Sequence, residues 1–232
     1  MKESKPLTTN GLVMPSDFPT AEYEFVHSRM EPLSRTANEI YAHFAGAWNA
    51  VAYRFMAMTE YERAFSDSIA VVGASPSPLH REEQERALFG FFSSGFSVFE
   101  STFYALFSMG AFLSGQYFPI ATQKDQQRIS PATTAASLAK AFSNDPLMPV
   151  VTAILLDPAY LEWREIRNIL THRAAPGRTF FVGIGGDDEL PDQWKIKNIP
   201  LDKSMAPKRR EELSRLLSVL IGNIEAFTER HF

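Results

Sequence analysis

The stretch from Ala87 to Gly115 is the most apolar part of the chain and constrains its fold more than any other segment. Its phenylalanines recur every three or four residues, which is the spacing of one face of an α-helix. They are Phe92, Phe96, Phe99, Phe103 and Phe107. A neighbouring ridge of small residues is formed by Ser93, Ser97, Ser101 and Ala105. The pattern predicts a buried helix at the centre of a helical bundle.

The same stretch is long enough to span a bilayer, so a membrane helix is the alternative. Glu100 lies at its centre, and a carboxylate there is costly in lipid but tolerated in a protein core that supplies a partner. The stretch also lacks the basic flanks of a membrane anchor. We therefore expect a bundle without a membrane partner, and a membrane-associated protein remains as a lesser alternative.

The rest of the chain is predicted to be all-α, with about five to seven helices and long antiparallel core helices in one domain over residues 31–232. A four-three spacing of apolar residues from Ala37 to Val72 predicts one of the long helices. Shorter helices are predicted over residues 132–143, 146–156, 157–172 and 207–230. Alternating apolar and polar residues near 179–199 predict a small β-hairpin, and residues 1–30 are predicted to be an irregular N-terminal arm.

Composition excludes several classes of function. The 232 residues include no cysteine, which excludes disulfides and thiolate sites and fits a reducing cytoplasm. The N-terminus has no apolar core of signal-peptide length, so a cytoplasmic location is expected. The net charge of −4 gives no overall attraction for nucleic acid, so phosphate contacts require a local basic cluster. No metal or cofactor is expected, because ligand spacing is absent among His27, His43, His80 and His231.

The helix predicted from Asp157 carries a charged residue on its buried face. Arg167 falls within the apolar arc of the helical wheel. This arc consists of Leu156, Tyr160, Trp163, Ile166 and Leu170. A guanidinium at the edge of a core needs a partner, and Glu100 is the only charged residue between Arg86 and Lys124. A structural ion pair between Arg167 and Glu100 is therefore one interpretation.

A reaction centre is the other interpretation, because His172 follows Arg167 by five positions. Phosphodiester cleavage needs an imidazole that moves a proton at the ribose 2′-hydroxyl or the leaving 5′-oxygen, and a fixed cation that stabilises charge on the phosphoryl oxygens. Asn168 and Thr171 could orient the phosphate or the imidazole. A basic patch that adds sequence-independent affinity for RNA would consist of Arg164, Arg173 and Arg178.

The run from Arg167 to His172, RNILTH, resembles the signature of the HEPN superfamily, in which an arginine, a polar residue and three further positions precede a histidine. The resemblance implies a helical, metal-independent ribonuclease that dimerises so that two motifs face each other. It also implies a place in toxin–antitoxin, defence or RNA-processing systems. On this basis Arg167 and His172 are the catalytic pair, Asn168 is the polar residue of the motif, and Glu100 positions the arginine.

Two hypotheses follow from the sequence. In the first, the chain is a HEPN-like endoribonuclease or RNA-binding protein, whose expected partners are RNA, a second copy of the chain and a protein antitoxin or regulator. In the second, it is a non-catalytic interaction module in which Arg167 and Glu100 only complete the core.

Overall fold

The computed structural model describes residues 7–8, 11–180 and 193–232, which form an all-α bundle with one small β-sheet. The predicted fold class is therefore confirmed. Within these described ranges there are eight α-helices and one short 3-10 helix, Glu31–Arg35. The α-helices are α1 (Thr20–Met30), α2 (Asn38–Val72), α3 (Pro78–Ser114), α4 (Gln123–Gln126), α5 (Pro131–Ala141), α6 (Leu147–Leu156), α7 (Pro158–His172) and α8 (Met205–His231).

The two longest helices, α2 and α3, form an antiparallel pair. The turn between them begins at Gly73, whose φ of 68° lies in the left-handed region that glycine adopts without strain. Tyr61 of α2 packs on Gly90 of α3, and Arg54 donates hydrogen bonds to the backbone oxygen of Ser97 and the hydroxyl of Ser101. The long apolar spacing predicted from Ala37 to Val72 is realised as one continuous helix.

Helix α3 lies at the centre of the bundle and contacts α2, α5, α7 and α8. All five phenylalanines of its predicted stripe are buried. Within the described residues α3 is the one helix that is long and apolar enough to cross a membrane, but 72% of its apolar window is buried inside the protein. Its apolar surface is thus covered by neighbouring helices.

The prediction of an irregular arm over residues 1–30 is wrong for its final part. Residues Thr20–Met30 form α1, which buries Tyr23, Val26 and Met30 at a three- or four-residue spacing. The Tyr23 ring stacks on Trp48 with centroids 4.9 Å apart, and each aromatic side chain donates a hydrogen bond to the other residue's backbone oxygen. The charged and polar residues between the buried positions obscure this pattern in the sequence.

The predicted β-hairpin corresponds to a three-stranded antiparallel sheet in the order β1 (Arg178–Thr179), β2 (Gln193–Ile196) and β3 (Ile199–Pro200). Strands β1 and β2 flank the predicted Gly-Asp loop, and this loop lies outside the described residues. Strand β3 is an additional element, which pairs with β2 through a turn at Lys197.

Helix α7 carries the RNILTH run and is fixed against α3 by aromatic packing. Its N-cap is Asp157, which accepts a hydrogen bond from the backbone N–H of Ala159 at 2.8 Å. Trp163 packs between Phe91 and Phe92, with both centroid distances at 4.9 Å. Leu156, which the helical wheel assigned to the buried face, is instead 68% exposed, because it ends α6 before the chain turns into α7.

Candidate functional site

Arg167 lies on α7 where this helix faces α3. Its Nη2 pairs with Glu100 Oε1, and its Nη1 donates to Asn168 Oδ1 at 3.0 Å. The guanidinium carbon lies 4.6 Å from the centroid of the Phe96 ring, a cation–π distance. The Arg167 side chain is 19% exposed and that of Glu100 is 38% exposed. The expected contact between the two charges is therefore present, and it lies at the edge of the core.

The position of this pair follows from packing one turn earlier. Trp163 lies so close to Gly95 that a Cβ atom there would come within 2.4 Å of the indole ring. The absence of a side chain at Gly95 lets α7 approach α3, and Arg167 then projects toward Glu100. Ser97 Oγ donates to Glu100 Oε2 at 3.3 Å, which leaves the carboxylate with a partner on each oxygen.

His172 is the last residue of α7 and is exposed. It makes no hydrogen bond or ion pair with any residue that the structure describes. Five positions of an α-helix correspond to a rotation of about 140° and a rise of about 7.5 Å. Arg167 and His172 are therefore not in contact within one chain, and a ligand that touches both must lie along the flank between them.

The other predicted residues of this flank differ in their availability. Arg164 and Arg173 are exposed and have no ion pair among the described residues, so both can bind an anion. Thr171 is exposed, but its hydroxyl donates to the backbone oxygen of Arg167 at 2.7 Å. Asn168 accepts from Arg167 and so orients the guanidinium.

The expectation that Arg178 extends the basic patch is wrong. Its side chain is 5% exposed, and its guanidinium carbon lies 3.5 Å from the Trp194 ring centroid. Its Nη1 donates to the backbone oxygen of Ala74 at 2.8 Å and to Gln84 Oε1 at 2.9 Å. Burial lowers the pKa of Arg178, although Glu85 at 3.5 Å opposes this shift. Arg178 thus links the small sheet to the α2–α3 turn through these hydrogen bonds.

Glu100 also lines an open cleft of about 510 Å³ between α2, α3 and the start of α5. Among the polar residues that line this cleft, His43, Arg54 and Tyr104 were missed as site candidates. Tyr104 Oη lies 3.2 Å from His43 Nδ1. Burial raises the pKa of Tyr104, so the phenol keeps its proton at neutral pH. The ridge of serines on α3 was the available signal, since Ser101 lines the cleft and both Ser97 and Ser101 accept hydrogen bonds from Arg54. The α2 residues, however, come from a distant part of the sequence.

No group of three or more histidine, aspartate or glutamate side chains that could hold a metal ion occurs within the described ranges. The polar groups of the site are thus an arginine–carboxylate pair, an exposed imidazole and an adjoining cleft that contains a second arginine.

No protein-family model matches the chain, and neither a curated protein nor a solved structure is detectably similar to it.

Proposed function

We propose that this chain is a HEPN-like protein that acts on RNA and cleaves phosphodiester bonds without metal through Arg167 and His172. The fixed guanidinium would hold the phosphoryl oxygens, and the imidazole would move the proton. RNA and a second copy of the chain are the partners we propose, in the cytoplasm, with a protein antitoxin or regulator as a further one.

The observation that carries this proposal is the different state of the two motif residues. The Arg167 guanidinium is held on three sides, by Glu100, Asn168 and the Phe96 ring. His172 has no protein partner within the described part of the chain and faces solvent. A positioned cation and a free imidazole on the same flank of one helix suit catalysis, because the cation must stay fixed while the imidazole exchanges protons with a substrate.

The proposed reaction is transfer of the phosphoryl group to the neighbouring ribose oxygen. A neutral imidazole takes the proton of the 2′-hydroxyl, the 2′-oxygen attacks phosphorus, and the bond to the 5′-oxygen breaks. The leaving oxygen takes a proton from an imidazolium, and Arg167 stabilises the negative charge on the phosphoryl oxygens. The products are a 2′,3′-cyclic phosphate and a free 5′-hydroxyl, so atoms and charge balance without a metal or cofactor.

The same contacts also favour a second candidate, a helical interaction module without catalysis. Glu100, Asn168 and Phe96 satisfy the Arg167 guanidinium without any ligand, as a purely structural pair would require. In that case His172 is an ordinary surface residue at a helix end. The two candidates differ in what His172 does, because only the ribonuclease depends on it.

The deciding experiment is cleavage of single-stranded RNA in excess chelator by wild-type protein and by His172→Ala. We expect chelator-resistant cleavage that falls by roughly 10²- to 10⁴-fold in the variant and yields cyclic phosphate ends. His80→Ala, on the first turn of α3, is the matched control and should cleave like wild type. Equal cleavage by all three proteins would indicate a contaminating nuclease and contradict the proposal.

A further inference from the structure

The cleft beside Glu100 contains a cation, the Arg54 guanidinium, that is not neutralised by any carboxylate of the described residues. Arg54 is exposed, and its Nη1 donates to the backbone oxygen of Ser97 at 3.2 Å and to the hydroxyl of Ser101. Within the described residues it forms no ion pair. Glu100 is the one acidic residue among the described residues that line the cleft, and it is already paired with Arg167. The Arg54 guanidinium therefore retains N–H groups and a full positive charge for a ligand.

The Tyr104 hydroxyl supplies a second free donor. The neighbouring hydrogen bonds of His43 decide which of the two groups donates in the bond between His43 Nδ1 and Tyr104 Oη. Gln126 Nε2 donates to the backbone oxygen of Ile120 at 3.1 Å, so the nitrogen of this amide also faces His43 Nε2, at 3.3 Å. His43 Nε2 must then accept, and its Nδ1 carries the proton that it donates to Tyr104 Oη. The phenol proton of Tyr104 has no acceptor among the described residues, so it is available in the cleft.

Small side chains of α2 give the cleft its shape. Ala42, Gly46, Ala47 and Ala50 line one wall over about two and a half turns of the helix. Together they form an apolar surface, the α2 shelf, in the same cleft as the two donors. The volume of about 510 Å³ lies within the range of about 300–1,000 Å³ that is typical of small-molecule sites. A planar ring joined to an anion matches this combination of shelf and donors.

We propose that this cleft binds a nucleotide of single-stranded RNA, with Arg54 and Tyr104 donating to its phosphate and its base lying against the α2 shelf. This inference rests on the proposed function and deepens it, because Glu100 connects the cleft to Arg167. The RNA would pass from the cleft toward the phosphate that Arg167 holds. Arg54 and Tyr104 are then binding residues of the substrate site.

A second, smaller cleft adjoins the first and would extend the proposed binding site along an RNA strand. Its volume is about 300 Å³, it shares Ile129 with the first cleft, and it is lined by Tyr117, Arg128 and Lys140 among others. Its acidic residue, Asp125, is engaged by the backbone and hydroxyl of Thr122 in the cap of α4. An aromatic ring with two cations on the far side of Ile129 suits the next nucleotide of the same strand.

The test measures binding of a labelled single-stranded oligoribonucleotide to His172→Ala protein, in which the proposed cleavage is prevented. Arg54→Met should weaken binding about tenfold. It should also reduce the slope of log Kd against the logarithm of the salt concentration by about one. Tyr104→Phe, which removes only the hydroxyl, should weaken it about fivefold. Arg63→Met, an exposed arginine of α2 that does not line the cleft, is the matched control and should change little.

A steric block tests the shelf separately. A Cβ atom at Gly46 or at Gly222 would meet nothing within 4 Å, so both positions accept a larger side chain. Gly46→Leu fills the cleft and should weaken RNA binding at least about tenfold, whereas Gly222→Leu on α8 should leave it unchanged. A nucleoside monophosphate should also compete with the RNA better than inorganic phosphate or the free nucleoside does.

The outcomes separate this inference from the proposed function. Wild-type cleavage that depends on His172, together with unchanged binding in Arg54→Met and Gly46→Leu, would overturn the inference and leave the function intact. Binding that depends on Arg54 and Gly46 in a protein that never cleaves RNA would support the cleft and refute the nuclease. Equal competition by inorganic phosphate and by the nucleotide would overturn the role of the shelf.

Discussion

Arg167 and Arg178 are chemically similar sites with different surroundings. Each guanidinium lies over an aromatic ring, Phe96 or Trp194, and each pairs with a glutamate of α3. Arg178 is sealed, since its side chain is 5% exposed and its donors reach Ala74 and Gln84 from within the fold. Arg167 lies at the core edge, and its glutamate opens into a cleft.

This difference in exposure indicates which of the two arginines can bind a ligand. A sealed guanidinium joins elements of the chain, here the small sheet and the α2–α3 turn, and removing it leaves buried groups without partners. A guanidinium at an open edge contributes less to stability, because water can replace its partners. We therefore expect stability to depend on Arg178 and RNA chemistry to depend on Arg167.

Replacing the two arginines in turn should give the largest contrast in stability. Arg178→Met should lower the free energy of unfolding by about 3–5 kcal/mol, because Glu85 and Gln84 lose a buried partner. Arg167→Met should cost about 1–2 kcal/mol, because the Arg167 side chain is 19% exposed against 5% for Arg178, so water reaches its ion pair. Urea unfolding at neutral pH measures both values. Equal losses would mean that the two sites are equally structural.

A methyl group beneath α7 should disturb the Arg167 site without changing any of its polar residues. In Gly95→Ala the new methyl group would meet the Trp163 ring at 2.4 Å, so α7 must move and the protein should lose about 1–3 kcal/mol of stability. RNA cleavage should fall, because Arg167 follows Trp163 by one turn. Gly222→Ala, which meets no atom within 4 Å, should instead stabilise α8 by about 0.5–1 kcal/mol.

Asp145 tests whether the free energy of unfolding also depends on the partners of a buried acidic residue. Burial would raise the pKa of its carboxyl, but hydrogen bonds from Arg230, His231 and the backbone N–H of Leu147 lower it overall. A lowered pKa contributes stability that is present above about pH 4 and is lost as the pH falls through the folded-state value. Asp145→Asn should therefore cost about 1–2 kcal/mol near neutral pH, and the difference from wild type should shrink in acid.

Denaturant titrations of both proteins between neutral and acidic pH measure this difference. Asp67→Asn, on the exposed side of α2, is the control and should show little difference at any pH. A constant gap between Asp145→Asn and wild type across the pH range would contradict the account.

The smallest effects on stability are expected at the exposed arginines of the α7 flank. Arg164→Ala and Arg173→Ala should each change the free energy of unfolding by less than about 0.5 kcal/mol, since neither side chain has an ion pair in the described part of the chain. Each should weaken RNA binding modestly and reduce the salt slope by about one. Anisotropy titrations at several salt concentrations provide the measurement. An unchanged salt slope would exclude that arginine from the RNA contact.

The fold could be predicted from sequence where periodicity is strong. The phenylalanine stripe of α3 and the apolar spacing of α2 define the central pair, because helical burial repeats every three to four residues. The contact of Glu100 with Arg167 followed from the scarcity of charge on two buried faces. Helix α1 escaped detection, because its buried residues alternate with charged ones over a short segment.

The rest of the site depends on contacts between distant segments. Arg178 is sealed by Ala74, Gln84 and Trp194, which come from three parts of the chain, so its burial has no local signal. The cleft of Arg54 and Tyr104 likewise combines α2, α3 and the start of α5. Local spacing therefore identified the motif of α7 but not the groups around it.

We propose above all that one phosphate contacts Arg167 and His172 together. The most direct test of this claim is to follow the imidazole NMR signals of the five histidines while a non-cleavable deoxyoligonucleotide is added to wild type and to Arg167→Met. We predict that the His172 signals shift as the ligand binds to wild type, and that Arg167→Met needs at least about tenfold more ligand for the same shift. Binding that leaves the His172 signals unmoved, or shifts them equally in both proteins, would contradict the claim.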